Sequence, residues 1–261
     1  MKPDEEKALQ ETFTWARSQV FEDYNTILGY YQAKACIEHA RGDSLLDFPC
    51  GDGTLTKMLA PHFKRIVGVD ASSKHLALAK KLLPDTEFHE ALIEDFETTE
   101  RFDTITMVNI LEHVSDTVSA LRKAASLLND DGVLLVHVPN ANAINRRLAV
   151  LMGTLTKCEE LSPFDINVVG HRRAYSIKTL CADVEKAGLK VAATGGVFYK
   201  MLSTPQMDWF LKNGLWKDGE FGWGRVGAEK KDWKAEFCRA SYELGKNQPE
   251  DCNIIYACVT K

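Results

Sequence analysis

One stretch, LLDFPCGDGTL from Leu45 to Leu55, restricts what the chain can fold into more than any other. Leu45, Leu46 and Phe48 form a short apolar run of the kind that makes a buried strand. The run ends in a glycine turn, Cys50-Gly51-Asp52-Gly53, and Leu55, Met58 and Leu59 then fall on one helical face. Glycine at 51 and 53 allows a tight turn and lets the backbone approach a ligand with no Cβ in the way. The helix that follows begins with unpaired N–H groups aimed at the same place. A strand, a glycine turn and a helix N-terminus in this order make a binding site at the carboxyl edge of a parallel sheet.

The details of the turn restrict the ligand. A dinucleotide turn reads G-x-G-x-x-G and seats a pyrophosphate on the helix N-terminus. Here Thr56 stands at the third glycine position and the loop carries two carboxylates, Asp47 and Asp52. Negative side chains repel a phosphate and suit a cationic or zwitterionic ligand. Asp47, Gly51 and Gly53, with Cys50 before the first glycine and Pro49 as a departure, resemble the first motif of class I S-adenosylmethionine-dependent methyltransferases.

Downstream, Ile66–Asp70 reads as a short buried strand closed by an acid. A carboxylate at that strand tip can accept two hydrogen bonds from a ribose diol, and Asp70 can also cap the next helix. A third strand spans Glu87–Ala91 and leads into Leu92-Ile93-Glu94. The resemblance implies that this segment, with Ala71, flanks the adenine; where the family often has an Asp for the exocyclic amine, Leu92 stands here, so Glu94, Asp95 or a carbonyl takes that contact. The fourth strand, Thr104–Val108, runs into Asn109-Ile110-Leu111-Glu112-His113-Val114. This F-D-x-I strand followed by L-E-H-V resembles the small-molecule branch of the same family, of ubiquinone- and polysaccharide-biosynthesis type. The resemblance implies that Asn109 and Leu111 lie beside the cofactor. An imidazole at that strand tip either takes a proton from an acceptor hydroxyl or caps a helix, which makes His113 one catalytic candidate.

A helix over Thr117–Leu128, stopped by Asn129–Gly132, and a fifth strand over Val133–Val138 complete five alternating strand and helix patterns. They predict a doubly wound parallel α/β sheet with helices on both faces. The resemblance implies a Rossmann-like seven-stranded sheet, mostly parallel, in which the last strand, Asn253–Thr260, pairs antiparallel with a sixth that begins at Lys190. The whole chain reads as one methyltransferase domain carrying three additions: an N-terminal helical cap over 1–40, a lid over 140–175 and an aromatic-rich insertion over 200–250. Tyr24 and Tyr31 of the cap are candidates to close over the acceptor. An amphipathic helix over Ala141–Leu155 opens the lid, and Gly170-His171-Arg172-Arg173-Ala174-Tyr175 closes it. His171 is the second catalytic candidate; Arg172, Arg173 and Tyr175 are candidate acceptor contacts. Trp209, Trp216, Trp223 and Trp233 in the last insertion fit a second cap, a homodimer contact or plain packing.

Charge and cysteine usage exclude several classes. A net charge of −5 gives no attraction for a phosphate backbone, and the loop after the fourth strand lacks the Asp/Asn-Pro-Pro-aromatic sequence of base-modifying relatives, so nucleic acid is not the expected partner. No run reaches the roughly 20 apolar residues of a membrane span, and the charged start MKPDEEKALQ is no signal peptide. Seven cysteines, widely spread and without zinc spacing, predict a reduced cytoplasmic protein with no metal site. The expected activity is methyl transfer from S-adenosylmethionine to a small-molecule acceptor, a hydroxyl first. The alternatives are a nicotinamide-dependent oxidoreductase on a similar sheet and a cofactor-binding subunit without catalysis.

Overall fold

A computed structural model of the chain describes residues 22–213 and 233–261, together with Ala8. The elements in order are α1 (Glu22–His39), β1 (Ser44–Asp47), α2 (Thr54–Leu59), β2 (Arg65–Asp70), α3 (Ser73–Leu82), β3 (Glu87–Glu90), β4 (Phe102–Val108) and α4 (Thr117–Ser126). They continue with β5 (Leu128–Pro139), α5 (Ile144–Leu151), α6 (Pro163–Asn167), α7 (Ile177–Lys186), β6 (Lys190–Val197), α8 (Thr204–Asn213), α9 (Trp233–Asn247) and β7 (Ile254–Thr260). The seven strands form one sheet in the order β3-β2-β1-β4-β5-β7-β6. All neighbours are parallel except β7, which pairs antiparallel with both β5 and β6. This is the expected doubly wound sheet, and its order reverses between β1 and β4.

Successive strand side chains point to opposite faces, so each strand supplies two cores. Leu46, Val136 and Leu134 face α4 and α7 in one fully buried cluster, alongside Leu121 and Leu180. Leu45, Leu135 and Val133 face the other way, where Tyr24, Leu28, Tyr31 and Cys36 of α1 join Met207 of α8 and Tyr242 of α9. The N-terminal helix therefore covers one face of the sheet as well as standing at its edge.

Several boundaries differ from the expectation. β5 starts at Leu128, because Phe102 pairs with Leu128 and donates its amide to the carbonyl of Leu127 (2.9 Å), so the acidic run becomes strand and α4 ends at Ser126. α5 covers only Ile144–Leu151: the Asn140 side chain accepts from the amide of Asn142 (2.9 Å) and donates to the carbonyls of Glu250 and Cys252, holding 140–143 as a turn. Of the expected helical cap over 1–40, α1 makes up Glu22–His39; the part before residue 22, Ala8 aside, lies outside the described residues. So do Trp216 and Trp223, whereas Trp209 of α8 is 59% exposed. Among the described residues no helix is long and apolar enough to cross a membrane.

Candidate functional site

A cleft of about 710 Å³ lies along the carboxyl edge of the sheet, at the reversal between β1 and β4. One half is walled by Pro49, Cys50, Gly51 and Asp52 after β1, by Asp70, Ala71 and His75 after β2, and by Leu92, Ile93 and Glu94 after β3. The other half is walled by Asn109, Glu112 and His113 after β4, by Arg146, Asp165 and His171 of the lid, by Tyr24, Asn25 and Gln32 of α1, and by Lys200 after β6.

The first half is held by one carboxylate. Asp70, 8% exposed, accepts from the amide of Gly51 through Oδ2 (2.9 Å) and from the amide of Ser72 through Oδ1 (2.8 Å). It thereby ties the glycine turn to the tip of β2. The capping role belongs to Ser72, whose hydroxyl accepts from the amide of His75 (3.3 Å) at the start of α3. Carboxylate oxygens keep lone pairs beyond these bonds, so Asp70 still has acceptor capacity toward the cleft it lines.

Asp47 stands beneath the cleft and does not line it. It is fully buried, and its carboxylate accepts from Thr56 Oγ1 (2.6 Å) and Thr106 Oγ1 (2.8 Å). Burial pushes its pKa up to about 6, against the two hydroxyls. Its work is to fasten β1 to α2 and β4. Gly53 also leaves the ligand face. Its φ is 79°, and an added Cβ would lie 3.0 Å from Cα and Cβ of Ala79, so this glycine serves the close packing of α2 on α3. Gly51, with φ 54°, is the glycine at the cleft wall.

The acceptor-side candidates divide in the same way. His113 and His171 meet in the cleft with ring centroids 5.0 Å apart. Burial lowers His113 to about 3 and His171 to about 4, the latter against the pull of Asp165. Both imidazoles are therefore neutral near pH 7. Asn109 takes a left-handed φ of 54° and accepts from the Gln32 side chain of α1 at 3.2 Å. Leu111 is fully buried in the core and makes no part of the wall. Tyr24 lines the cleft, but Tyr31 stacks on Tyr242 (4.7 Å between ring centroids) on the apolar side of α1.

Arg173 does not point to an acceptor. Its guanidinium donates to the carbonyls of Leu111 (2.6 Å), Val114 and Ser115 (3.1 Å), pinning the loop after β4 to the lid. The backbone amide of Arg172 donates to the carbonyl of Glu112 (2.8 Å) in the same seam, and its side chain is not part of the cleft wall. Tyr175 turns away from the cleft, its hydroxyl donating to Asp183 of α7 (3.1 Å).

Glu112, Arg146, Asp165 and Lys200 are site residues that the sequence reading missed. Glu112 is 1% exposed and neither carboxylate oxygen has a hydrogen-bond partner, so burial pushes its pKa up to about 8. Glu112, His113 and His171 each offer one ligand-type atom, all within 4.8 Å of one another. The metal-free expectation rested on ligand spacing along the chain and did not anticipate this grouping. Arg146 donates to Asp165 (3.1 Å) and to the carbonyls of Cys158 (3.0 Å) and Glu160. Glu112 was already legible in the L-E-H-V stretch; Lys200 had no local signal.

The family model of a methyltransferase domain matches residues 16–194, more than half of the chain. The chain belongs to the class I S-adenosylmethionine-dependent methyltransferases. That family membership overrides the nicotinamide alternative. Ubiquinone biosynthesis O-methyltransferase of Actinobacillus pleuropneumoniae is 33% identical over 135 residues, 48% of this chain and 55% of that protein. The same-named protein of Methylobacterium is 26% identical over 200 residues, 71% of this chain and 79% of that one. The chain thus spans about half the length of the first of these curated relatives. Among solved structures, an S-adenosylmethionine-dependent methyltransferase from Mesorhizobium loti superposes with TM-score 0.57 at 14% identity, covering 88% of this chain and 95% of that one. A methyltransferase bound to the Haloferax volcanii Trm112 activator gives 0.58 at 15%, covering 94% and 93%. At these identities the likeness is one of fold.

The donor set of the first half fits the family's cofactor. A carboxylate at the β2 tip answers a ribose diol, a glycine wall at residue 51 admits backbone contact, and the apolar Leu92 and Ile93 face the same space. Asp52, on the same wall, is a carboxylate suited to a ligand that carries an ammonium and a sulfonium.

Proposed function

We propose that the chain transfers a methyl group from S-adenosylmethionine to the hydroxyl of a small-molecule biosynthetic intermediate. The observation that carries this reading is the shared cleft of Gly51, Asp70, Glu112 and His171, which joins a nucleoside-type half to a half lined by buried polar groups. The relatives named O-methyltransferases in ubiquinone biosynthesis support oxygen as the methylated atom.

When bound, S-adenosylmethionine supplies a methyl group on a positively charged sulfur. The chain's own residues do the rest by positioning, which can account for most of such a rate enhancement. Asp70 holds the ribose and fixes the glycine turn. Asp52 balances the cofactor's charge. Leu92, Ile93 and Ala71 cover the adenine, with Glu94 at its edge, and Pro49, Cys50 and Asn109 complete that wall. His113 and His171, neutral at pH 7, accept a hydrogen bond from the acceptor hydroxyl and aim its lone pair. Their low basicity rules out removing the proton beforehand. It suffices afterwards, because an oxygen that has gained a methyl group becomes strongly acidic. Tyr24 and the residues of the lid exclude water. Arg173 holds the histidine loop against the lid without touching the acceptor. Within the expected aromatic-rich insertion, Lys200, Ser203, Thr204 and Pro205 close the acceptor end. The location that fits best is the cytoplasm, since all seven cysteines are unpaired thiols.

Calorimetry with the demethylated cofactor, S-adenosylhomocysteine, tests the nucleoside half. Asp70→Ala is expected to weaken binding by roughly 10- to 100-fold, the worth of one or two charge-assisted hydrogen bonds. Unchanged affinity in a folded variant defeats the ribose assignment. A screen of phenols, sugars and hydroxy acids for transfer of a labelled methyl group tests the activity, and a protein that binds the cofactor yet methylates only with an added partner is an activator-dependent subunit.

A further inference from the structure

The two ends of the cleft carry opposite charge. The cofactor end presents Asp52, Asp70 and Glu94, as a cationic cofactor requires. The far end presents the cations Arg146 and Lys200 with Asp165, Glu112, His113 and His171. Arg146 is spent on Asp165 and two carbonyls. Asp165 is also held by the amide and hydroxyl of Ser162, both at 2.8 Å. Glu112, His113 and His171 cluster together, each with one ligand-type atom within 4.8 Å of the others.

Lys200 is different. It sits between β6 and α8, 5% exposed, and lines the cleft with Ser203, Thr204 and Pro205. Its ammonium donates to Thr204 Oγ1 at 2.8 Å and lies 4.8 Å from the centre of the Tyr24 ring. An ammonium has three N–H donors, and no described carboxylate forms an ion pair with this one. Asp208 and Asp165 act on it from a distance and favour its charge, whereas Arg146 opposes it; Asp208 accepts from the backbone amide of Tyr24 at 2.9 Å. Burial outweighs them and lowers Lys200 to about 7. The first turn of α8 adds the positive end of a ten-residue helix to the same wall.

Building on the methyltransferase reading, we infer that Lys200 receives an anionic acceptor, a molecule whose carboxylate docks at the α8 end of the cleft while its hydroxyl lies under His113 and His171. The carboxylate gives the two remaining N–H donors their acceptors and restores the charge that burial removes. Binding is therefore coupled to proton uptake by Lys200. Only the acceptor's anchoring group is specified this way, and the anchor makes Lys200 a specificity residue, distinct from the groups that face the reacting hydroxyl.

The test starts with protein saturated with S-adenosylhomocysteine, since failure of that first binding step defeats the methyltransferase reading itself and leaves a separate record. Calorimetry then compares matched pairs, benzoate against benzamide and glucuronate against glucose, at pH 7 in two buffers of different ionisation heat. The expected result is a preference for the carboxylate of roughly tenfold or more, with a net uptake of protons on binding. Lys200→Met is expected to erase both. Lys200→Arg is expected to keep the preference and lose the proton uptake, because arginine stays charged. A lysine that merely holds the Thr204 hydroxyl gives no such split, and K200R supplies the decision if K200M does not fold. The proposal is overturned if wild type treats the members of each pair alike or takes up neither, if the preference survives in K200M, or if K200R takes up as many protons as wild type.

Discussion

The cofactor half of the cleft comes from one run of chain, residues 49–94, in which each strand tip delivers its residues directly to the wall. The acceptor half comes from α1, the loop after β4, the lid and the segment after β6, and its polar groups meet across more than 170 positions of sequence. The first is held by backbone amides on a single carboxylate, Asp70. The second is held by buried side chains whose protonation is displaced by burial, Glu112 and Lys200 in opposite senses. A site for a constant ligand can be written into a local motif. A site for a variable acceptor is assembled by tertiary packing and is correspondingly easier to disturb.

Arg173 gives the largest way to break that contrast. Arg173→Met removes donors from three loop carbonyls and is expected to cost about 2–4 kcal/mol in denaturant unfolding. Cofactor affinity should fall far less than acceptor turnover, and equal losses would erase the distinction between the halves.

Glu112→Gln sharpens it. The folded carboxyl has its pKa raised above the unfolded value, so the folded state holds a proton that the unfolded state releases, and wild-type stability falls as pH rises from about 4.5 to about 8. The variant should remove that slope, gaining up to about 4 kcal/mol over wild type at pH 8 and little at pH 4. Parallel pH–stability curves for the two proteins would contradict the burial of an unpartnered carboxyl.

Gly53→Ala separates packing from binding within the cofactor half. The positive φ and the contact with Ala79 predict a loss of about 1–2 kcal/mol. Cofactor affinity of the folded variant should change less than in Gly51→Ala, measured by the same calorimetry. Smallest of all, Tyr31→Phe should leave turnover of any acceptor unchanged and shift stability by less than about 0.5 kcal/mol, because the ring packs on Tyr242 and Phe198 and does not line the cleft. A turnover defect would return Tyr31 to the acceptor wall.

The sequence reading succeeded where chemistry follows chain order. The glycine turn, the β2-tip acid and the strand and helix alternation place Gly51, Asp70, Ala71 and Leu92 on one edge because a parallel sheet brings all its strand tips together. It went astray where a motif residue has two neighbours in space. Asp47 and Gly53 match the motif and serve packing, as their partners Thr56, Thr106 and Ala79 reveal. Arg173 and Tyr175 read as acceptor contacts only while their carbonyl and Asp183 partners are out of view.

The alternation of strand and helix patterns, with Gly51 and the β2-tip acid Asp70, marked the doubly wound sheet and one wall of the cleft, since these depend on local geometry repeated along the chain. Which polar groups lose their water was decided only by tertiary structure. Burial is a property of everything packed around a residue, so Glu112, the neutral histidines and Lys200 exist as a site only once α1, the lid and α8 have closed over the end of the sheet.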